Sequence, residues 1–167
     1  MKRHGGFTLL EIILVMGMIF VMAAVVVPRF SDYVPALRVK KTTDRLFAWA
    51  RKARADAALT GLRQRLVIDS KEKKYWLEVE MRPFKDPGKF SVVPGWEEEA
   101  LPDEIELETL EGLEDDPDNS LHKVLEFRPD GSAEDATITV ANDRGDRATI
   151  KVVAATSRVY IEAPPQP

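Results

Sequence analysis

Cysteine is missing altogether from the 167 residues, which rules out a disulfide framework, a thiolate nucleophile and thiolate metal ligation. Histidine is nearly missing: His4 and His122 stand far apart in the sequence, and no HExxH, Gly-rich phosphate loop or GxSxG motif accompanies them. No catalytic set is visible, so the chain is not read as an enzyme. Aromatic residues make up only 8%. Trp76, Trp96 and Tyr160 are therefore read as core or rim packing rather than as a platform for sugar or protein.

Each half of the chain is also short of one sign of charge. Residues 1–65 hold 12 Lys+Arg against 4 Asp+Glu, a balance of +8, and residues 66–167 hold 12 against 24, a balance of −12. The two halves are expected to face different surroundings. The second half lacks the clustered cations that phosphate contacts need, so no nucleic acid is expected there. Calcium takes oxygen ligands, and Glu97-Glu98-Glu99 and the run 111–119 offer them, but their spacing matches no EF-hand loop. Both are read as solvated acidic loops, and neither a metal nor a cofactor is implied.

What the sequence does have is one long apolar run, Phe7 to Val27, preceded by Lys2 and Arg3. As a helix its 21 residues span about 31 Å, the thickness of a hydrocarbon core. Within it stands Glu11. A charge at a bilayer centre costs about 2.5–3.5 kcal/mol on insertion scales, so a partner for this carboxylate is expected. Three readings fit the residues: a single-pass anchor, a secretory signal peptide with Val21-Met22-Ala23 as its cleavage motif, and a short basic leader cut after Gly6. The signal peptide fits poorly, because the run exceeds a normal h-region and contains Glu11. Charge counting leaves orientation open, since Arg29, Arg38, Lys40 and Lys41 follow the run as Lys2 and Arg3 precede it.

Gly6-Phe7-Thr8-Leu9-Leu10-Glu11 resembles the class III leader junction of type IV pilins and type II secretion pseudopilins. The resemblance implies a leader of residues 1–6, cut between Gly6 and Phe7 by a prepilin peptidase that N-methylates Phe7. It also implies that Glu11 pairs with the amino-terminal amine of a neighbouring subunit. Positions i and i+4 share a helix face, and pairing two charges in a low-dielectric medium removes the cost of leaving one alone. The leader would lie inside and the remainder in the periplasm.

Pro28 removes a helix donor, so a kink is expected there, at the place of the kink proline of pilin helices. Ser31 or Asp32 would cap a resumed helix. From 36 to 59 the pattern is helical: Val39, Thr43, Leu46, Ala50, Ala53 and Ala57 recur at three- and four-residue spacing, and Gly61 is a natural stop. The cations Arg38, Lys40, Lys41, Arg45, Arg51, Lys52 and Arg54 are read as a solvated face near lipid headgroups or other subunits rather than a phosphate patch. Beyond Gly61 strands are expected at 65–69, 74–81, 89–93, 105–110, 124–128, 137–141, 148–154 and 158–162, with 142–146 as a turn. Residues 164–167 read as an extended tail.

A helix followed by short strands predicts an α+β class, with a long hydrophobic amino-terminal helix packed on antiparallel sheet. The segment 125–133 with its Pro129-Asp130-Gly131 turn, and the closing stretches 150–153 and 157–161, are similar to the minor pseudopilin H subgroup, the GspH/FimT-like family. The implied organisation is leader 1–6, transmembrane and assembly helix 7–27, periplasmic helix 28–61, β-rich domain 62–163 and tail 164–167. The implied function is that of a minor pseudopilin in a type II secretion pseudopilus, anchored once in the bacterial inner membrane. Its partners would be the prepilin peptidase, other pseudopilins and inner-membrane lipid, with secreted cargo or secretion-channel components beyond them. The alternatives are a minor type IV pilin for adhesion, motility or DNA uptake, and a plain membrane-anchored periplasmic binding domain.

Overall fold

The computed structural model describes residues 8–162, apart from the side chains of residues 24–33. The leader 1–6, with His4, and the tail 164–167 lie outside the described residues. The chain divides into two compact units, Met1–Pro35 and Ala36–Pro167.

Helix α1 covers Leu9–Thr60. It continues through Pro28, so Ser31 and Asp32 do not begin a second helix. A proline removes a single backbone donor, which neighbouring turns tolerate at the cost of local geometry. Gly61 closes the helix: its N–H bonds to the Ala57 carbonyl at 2.9 Å, and its φ of +66° is the left-handed conformation of a glycine stop.

Ten strands follow among the described residues: β1 (Gln64–Asp69), β2 (Lys74–Val79), β3 (Ser91–Val92), β4 (Glu99–Ala100), β5 (Ile105–Glu111), β6 (Glu114–Asp116), β7 (Asn119–Phe127), β8 (Ala136–Asn142), β9 (Arg147–Val153) and β10 (Arg158–Glu162). They form two antiparallel sheets. One has the order β3-β2-β1-β7-β6 with β4 also on β2, and the other has the order β10-β9-β8-β5. Register is set where a buried face demands it: Leu66 lies opposite Leu77 on one side and Leu125 on the other, and Ile138 lies opposite Ile150.

One core joins α1 to both sheets. The helix positions Val39, Leu46, Ala50, Ala53 and Ala57 are buried in one cluster with Leu66, Ile68, Leu77 and Phe127 of the first sheet and Ile138, Val140, Ile150 and Val152 of the second. Thr43 is buried with them and bonds back to the Val39 carbonyl at 2.9 Å. The turn at Pro129-Asp130-Gly131 lies against the end of α1. Its Gly131 N–H bonds to Arg128 O at 2.8 Å, and a Cβ at Gly131 would meet Ala58 Cβ at 3.2 Å. The Asn142–Asp146 turn is held by Asn142 Oδ1, which accepts the N–H groups of Arg144 and Asp146.

Two expectations are corrected. The run 111–119 is not a solvated loop: it contains β6 and the start of β7, and Asp116 is buried. Burial is tolerated because Arg65 Nη1 stands 3.4 Å from Asp116 Oδ1, the Asp118 N–H donates to the same oxygen at 3.2 Å, and His122 Nδ1 lies 3.6 Å from Oδ2. Nor does the run 97–99 remain a free loop, since Glu99 is in β4 opposite Tyr75.

The outer face of the first sheet is a lattice of charge around a small apolar cluster of Val67, Trp76 and Val124. Arg65 donates to Glu78 at 2.6 Å and lies 4.0 Å from the Phe90 ring centroid. At the β1 entry, Arg63 grips Glu80 through two 2.7 Å hydrogen bonds and reaches Glu126 at 3.3 Å. Glu80 is 2% exposed and also accepts the Gly88 N–H. These hydrogen bonds, Arg63 first, hold the Glu80 carboxyl below the usual range despite its burial.

A lowered folded-state pKa stabilises the fold above the unfolded carboxylate range, and that stabilisation is lost as pH falls through the folded value. Arg63 is partly exposed, so Glu80→Gln is expected to cost about 2 kcal/mol at pH 7. The gap between wild type and variant in urea unfolding should shrink progressively below about pH 4. A gap that does not change with pH would contradict the ion-pair account.

Candidate assembly surface

The amino-terminal end of α1 is built by a cap. Thr8 Oγ1 accepts the Glu11 N–H at 3.3 Å, and the Thr8 carbonyl accepts the N–H groups of Glu11 at 3.1 Å and Ile12 at 3.3 Å. Thr8 is thus the N-cap residue, and Thr8-Leu9-Leu10-Glu11 has the spacing of a capping box. Glu11 stands in the first helical turn, where a carboxylate complements the helix dipole. The glutamate therefore has a local role at the helix start beside the intermolecular one expected of it. The T-x-x-E spacing is present in the sequence, where Thr8 also forms part of the leader junction. Gly6 and Phe7 lie outside the described residues, and with them the expected cleavage junction, the expected methylation and the expected pairing with Glu11.

Beyond the cap, apolar side chains point outward in every direction. From Leu9 to Met22 the large apolar residues are 49–81% exposed, including the four consecutive positions Ile12, Ile13, Leu14 and Val15. At 100° per residue these four cover all sides of the helix. A helix that is apolar all round is stable only when covered all round, by lipid or by other helices. Among the described residues no helix is long and apolar enough to cross a membrane. The span read from the sequence, 7–27, extends past the described side chains at both ends.

Part of the cationic face of α1 is neutralised by the chain itself. Arg38 pairs with Glu104, Arg45 with Glu99 and Lys52 with Asp56. Arg51 lies over Phe47, and Lys52 also lies over Trp96. Trp96 meets Trp49 edge to face at 4.8 Å and Trp49 meets Tyr75 likewise, so this aromatic group packs inward. The Tyr75 phenol is pushed up first by burial and then by the Glu99 carboxylate beside it. A hollow of about 260 Å³ between α1 and β4 is lined by Arg38, Lys41, Arg45, Tyr75 and Glu99. Its two arginines are already paired, which leaves Lys41 as the remaining cation of its lining.

His122 is not alone in space. It lies between Asp69 (3.5 Å) and Asp116 (3.6 Å), with Asn119 Nδ2 at 2.9 Å from Nε2 and its ring edge-on to Trp76. Each ring nitrogen already faces a partner, and no group of three or more acidic or histidine side chains is placed to hold a metal ion among the described residues.

The minor pseudopilin EpsH from the type 2 secretion system of Vibrio cholerae has a similar fold, with a TM-score of 0.61 at 12% identity over 77% of this chain and 99% of that one. A second EpsH structure gives 0.59, again at 12% identity, over 76% and 97%. The type IV minor pilin FimU of Pseudomonas aeruginosa gives 0.51 at 12% identity over 75% and 88%. At this identity the likeness is one of fold, and it is the fold that the leader junction led us to expect. No protein-family model and no curated protein matches the sequence.

The cap makes its own prediction. Thr8→Ala should cost the helix start about 1 kcal/mol and speed amide exchange at residues 10–12 in micelles, whereas Thr8→Ser should not. Equal protection in Thr8→Ala would remove the cap from the account.

Proposed function

We propose that the chain is a minor pseudopilin, a structural subunit of the periplasmic pseudopilus of a type II secretion system. One conjunction carries the reading: an EpsH-like fold in a chain whose sequence places Gly6-Phe7-Thr8-Leu9-Leu10-Glu11 directly before an apolar helix. In this reading prepilin peptidase cuts between Gly6 and Phe7 and methylates Phe7. Residues 7–27 hold the subunit in the bacterial inner membrane, and the β-rich domain stands in the periplasm. On assembly the apolar helices leave lipid for one another, and Glu11 meets the Phe7 amine of a neighbour. Pro28 gives the helix its bend. The chain is a substrate of the peptidase and catalyses nothing itself. Its partners are other pseudopilins and inner-membrane lipid, with cargo or channel components contacting the acidic domain.

The second reading, a minor type IV pilin, is supported by the FimU fold at its lower score. The −12 balance of residues 66–167 opposes a DNA-uptake role, because DNA binding needs exposed cations. Loss of exoprotein export on deletion supports the first reading, and loss of twitching or DNA uptake supports the second.

Intact mass of the membrane-extracted protein from a host with the peptidase should correspond to a chain beginning at methylated Phe7. Retention of Met1 there would sink the processing step. Glu11→Ala should insert in the membrane as wild type does, since it only removes a charge from the span. It should enter fibres about tenfold less, the consequence of leaving a terminal amine unpaired in a low-dielectric medium. Normal incorporation would end the pairing role.

A further inference from the structure

His122 sits where two turns meet, each closed by one oxygen of a carboxylate. Asp69 Oδ1 accepts the N–H groups of Lys71 and Glu72 at 2.8 and 2.9 Å and so closes the β1–β2 turn. Asp116 Oδ1 accepts the Asp118 N–H at 3.2 Å and closes the β6–β7 turn. Both aspartates are buried, and the second oxygen of each faces the imidazole. Asp69 Oδ2 stands 3.5 Å from Nε2, and Asp116 Oδ2 stands 3.6 Å from Nδ1. Both distances are just beyond hydrogen-bond length.

Asn119 fixes which nitrogen carries the proton. Its Nδ2 lies 2.9 Å from His122 Nε2, while its Oδ1 is taken by the Leu121 N–H at 3.1 Å. An amide nitrogen donates and does not accept, so Nε2 is the acceptor and the neutral ring keeps its proton on Nδ1, toward Asp116. The cations nearby are engaged. Arg65 reaches the far oxygen of Asp116 at 3.4 Å and donates to Glu78 at 2.6 Å. Lys74, opposite Asp69 on β2, is held by Glu72 and Glu98 at 3.1 Å each. Lys123 pairs with Asp115 at 2.6 Å. On the β2 side the ring meets Trp76 edge-on, and the Trp76 Nε1–H donates to Glu78.

We propose that His122 is a proton-operated clasp between the β1–β2 and β6–β7 turns. Imidazole changes charge between about pH 5 and 8, and the two states of this ring cannot use the same partners. Neutral, it holds Asn119 within β7. A proton taken from solvent onto Nε2 turns that acceptor into a donor, and the Asn119 N–H is expelled. Both ring N–H groups then close on Asp69 and Asp116 as charge-assisted hydrogen bonds. A contact within β7 is exchanged for contacts across to β1 and β6. Leu121, 56% exposed, bonds to the Asn119 side chain, so its release alters the surface at the start of β7. The clasp is a two-state element biased by one proton, and it does not depend on the secretion assignment.

The test is imidazole nitrogen NMR of the full chain in detergent micelles, titrated from about pH 8 to pH 5. His122→Gln identifies the signal and separates it from that of His4, the other histidine. At the alkaline end Nδ1 should carry the proton and Nε2 should be bare. At the acid end both should be protonated, and the Asn119 side-chain and Leu121 backbone N–H signals should move with the same midpoint. Two variants should shift that midpoint in opposite directions. Asn119→Ala removes a donor that favours the neutral ring and should raise it. Asp69→Asn removes a carboxylate that favours the charged ring and should lower it. Unchanged β8–β10 amide signals show that each variant is folded. A proton on Nε2 at the alkaline end would overturn the proposal. So would Asn119 and Leu121 signals indifferent to the titration, midpoints moving the same way in both variants, or a ring that stays neutral until the chain unfolds.

Discussion

Ala50, Ala53 and Ala57 have no solvent exposure, and they share one core cluster with apolar residues from both sheets. Their size is the constraint on which the Ala36–Pro167 unit depends. A helix face made of methyl groups lets strands approach closely, and interiors packed to crystal density do not absorb an added methylene without shifting their neighbours. The sheets are linked through this face and through short crossovers such as Gly112. There, a Cβ would fall 2.0 Å from the Asp135 carbonyl oxygen. Two sheets of different strand order thus share one spacing, fixed from the helix side.

The opposed charges of the two halves acquire a different meaning in the fold. From sequence they point to two surroundings. In the structure a good part of that opposition is internal: Arg38, Arg45, Arg63 and Arg65 from the basic half find Glu104, Glu99, Glu80 and Glu78 from the acidic half. Where such pairs are exposed they add little stability. Where they are buried they matter chiefly because removing one partner leaves the other uncompensated. Glu80 and Asp116 are of the second kind, and they fasten the β2 turn and the β6–β7 hairpin to strand β1.

Much of this is legible in the sequence. Spacing alone marked the buried face of α1 from Val39 to Ala57, because burial there follows helical period. Alternation marked β1, β2, β5 and the β8–β9–β10 meander. What escaped were β4 and β6, two and three residues long and dominated by acids, whose strand state depends on pairing with β2 and β7 rather than on their own preferences. Asp116 read as solvated because its compensation, Arg65, is 51 positions away. The helix continued past Pro28 where a restart was expected, since the loss of one donor is a local matter. Of the residues expected to act in assembly, Glu11 stands out in the sequence as a charge among apolar neighbours. The Thr8 cap that positions its helical turn was present in the same six letters.

Seen from the side of sequence drift, the alanine face says where change is permitted. The Ala36–Pro167 unit asks for small residues at a few helix positions, for alternation in the strands and for glycine at tight turns such as Gly112 and Gly131. Nearly every outward-facing site is free of those demands. A scaffold that is specified by size and period rather than by particular side chains can keep its shape while its surface is rewritten. That is how 77% of this chain superposes on a structure with which it shares 12% of its residues.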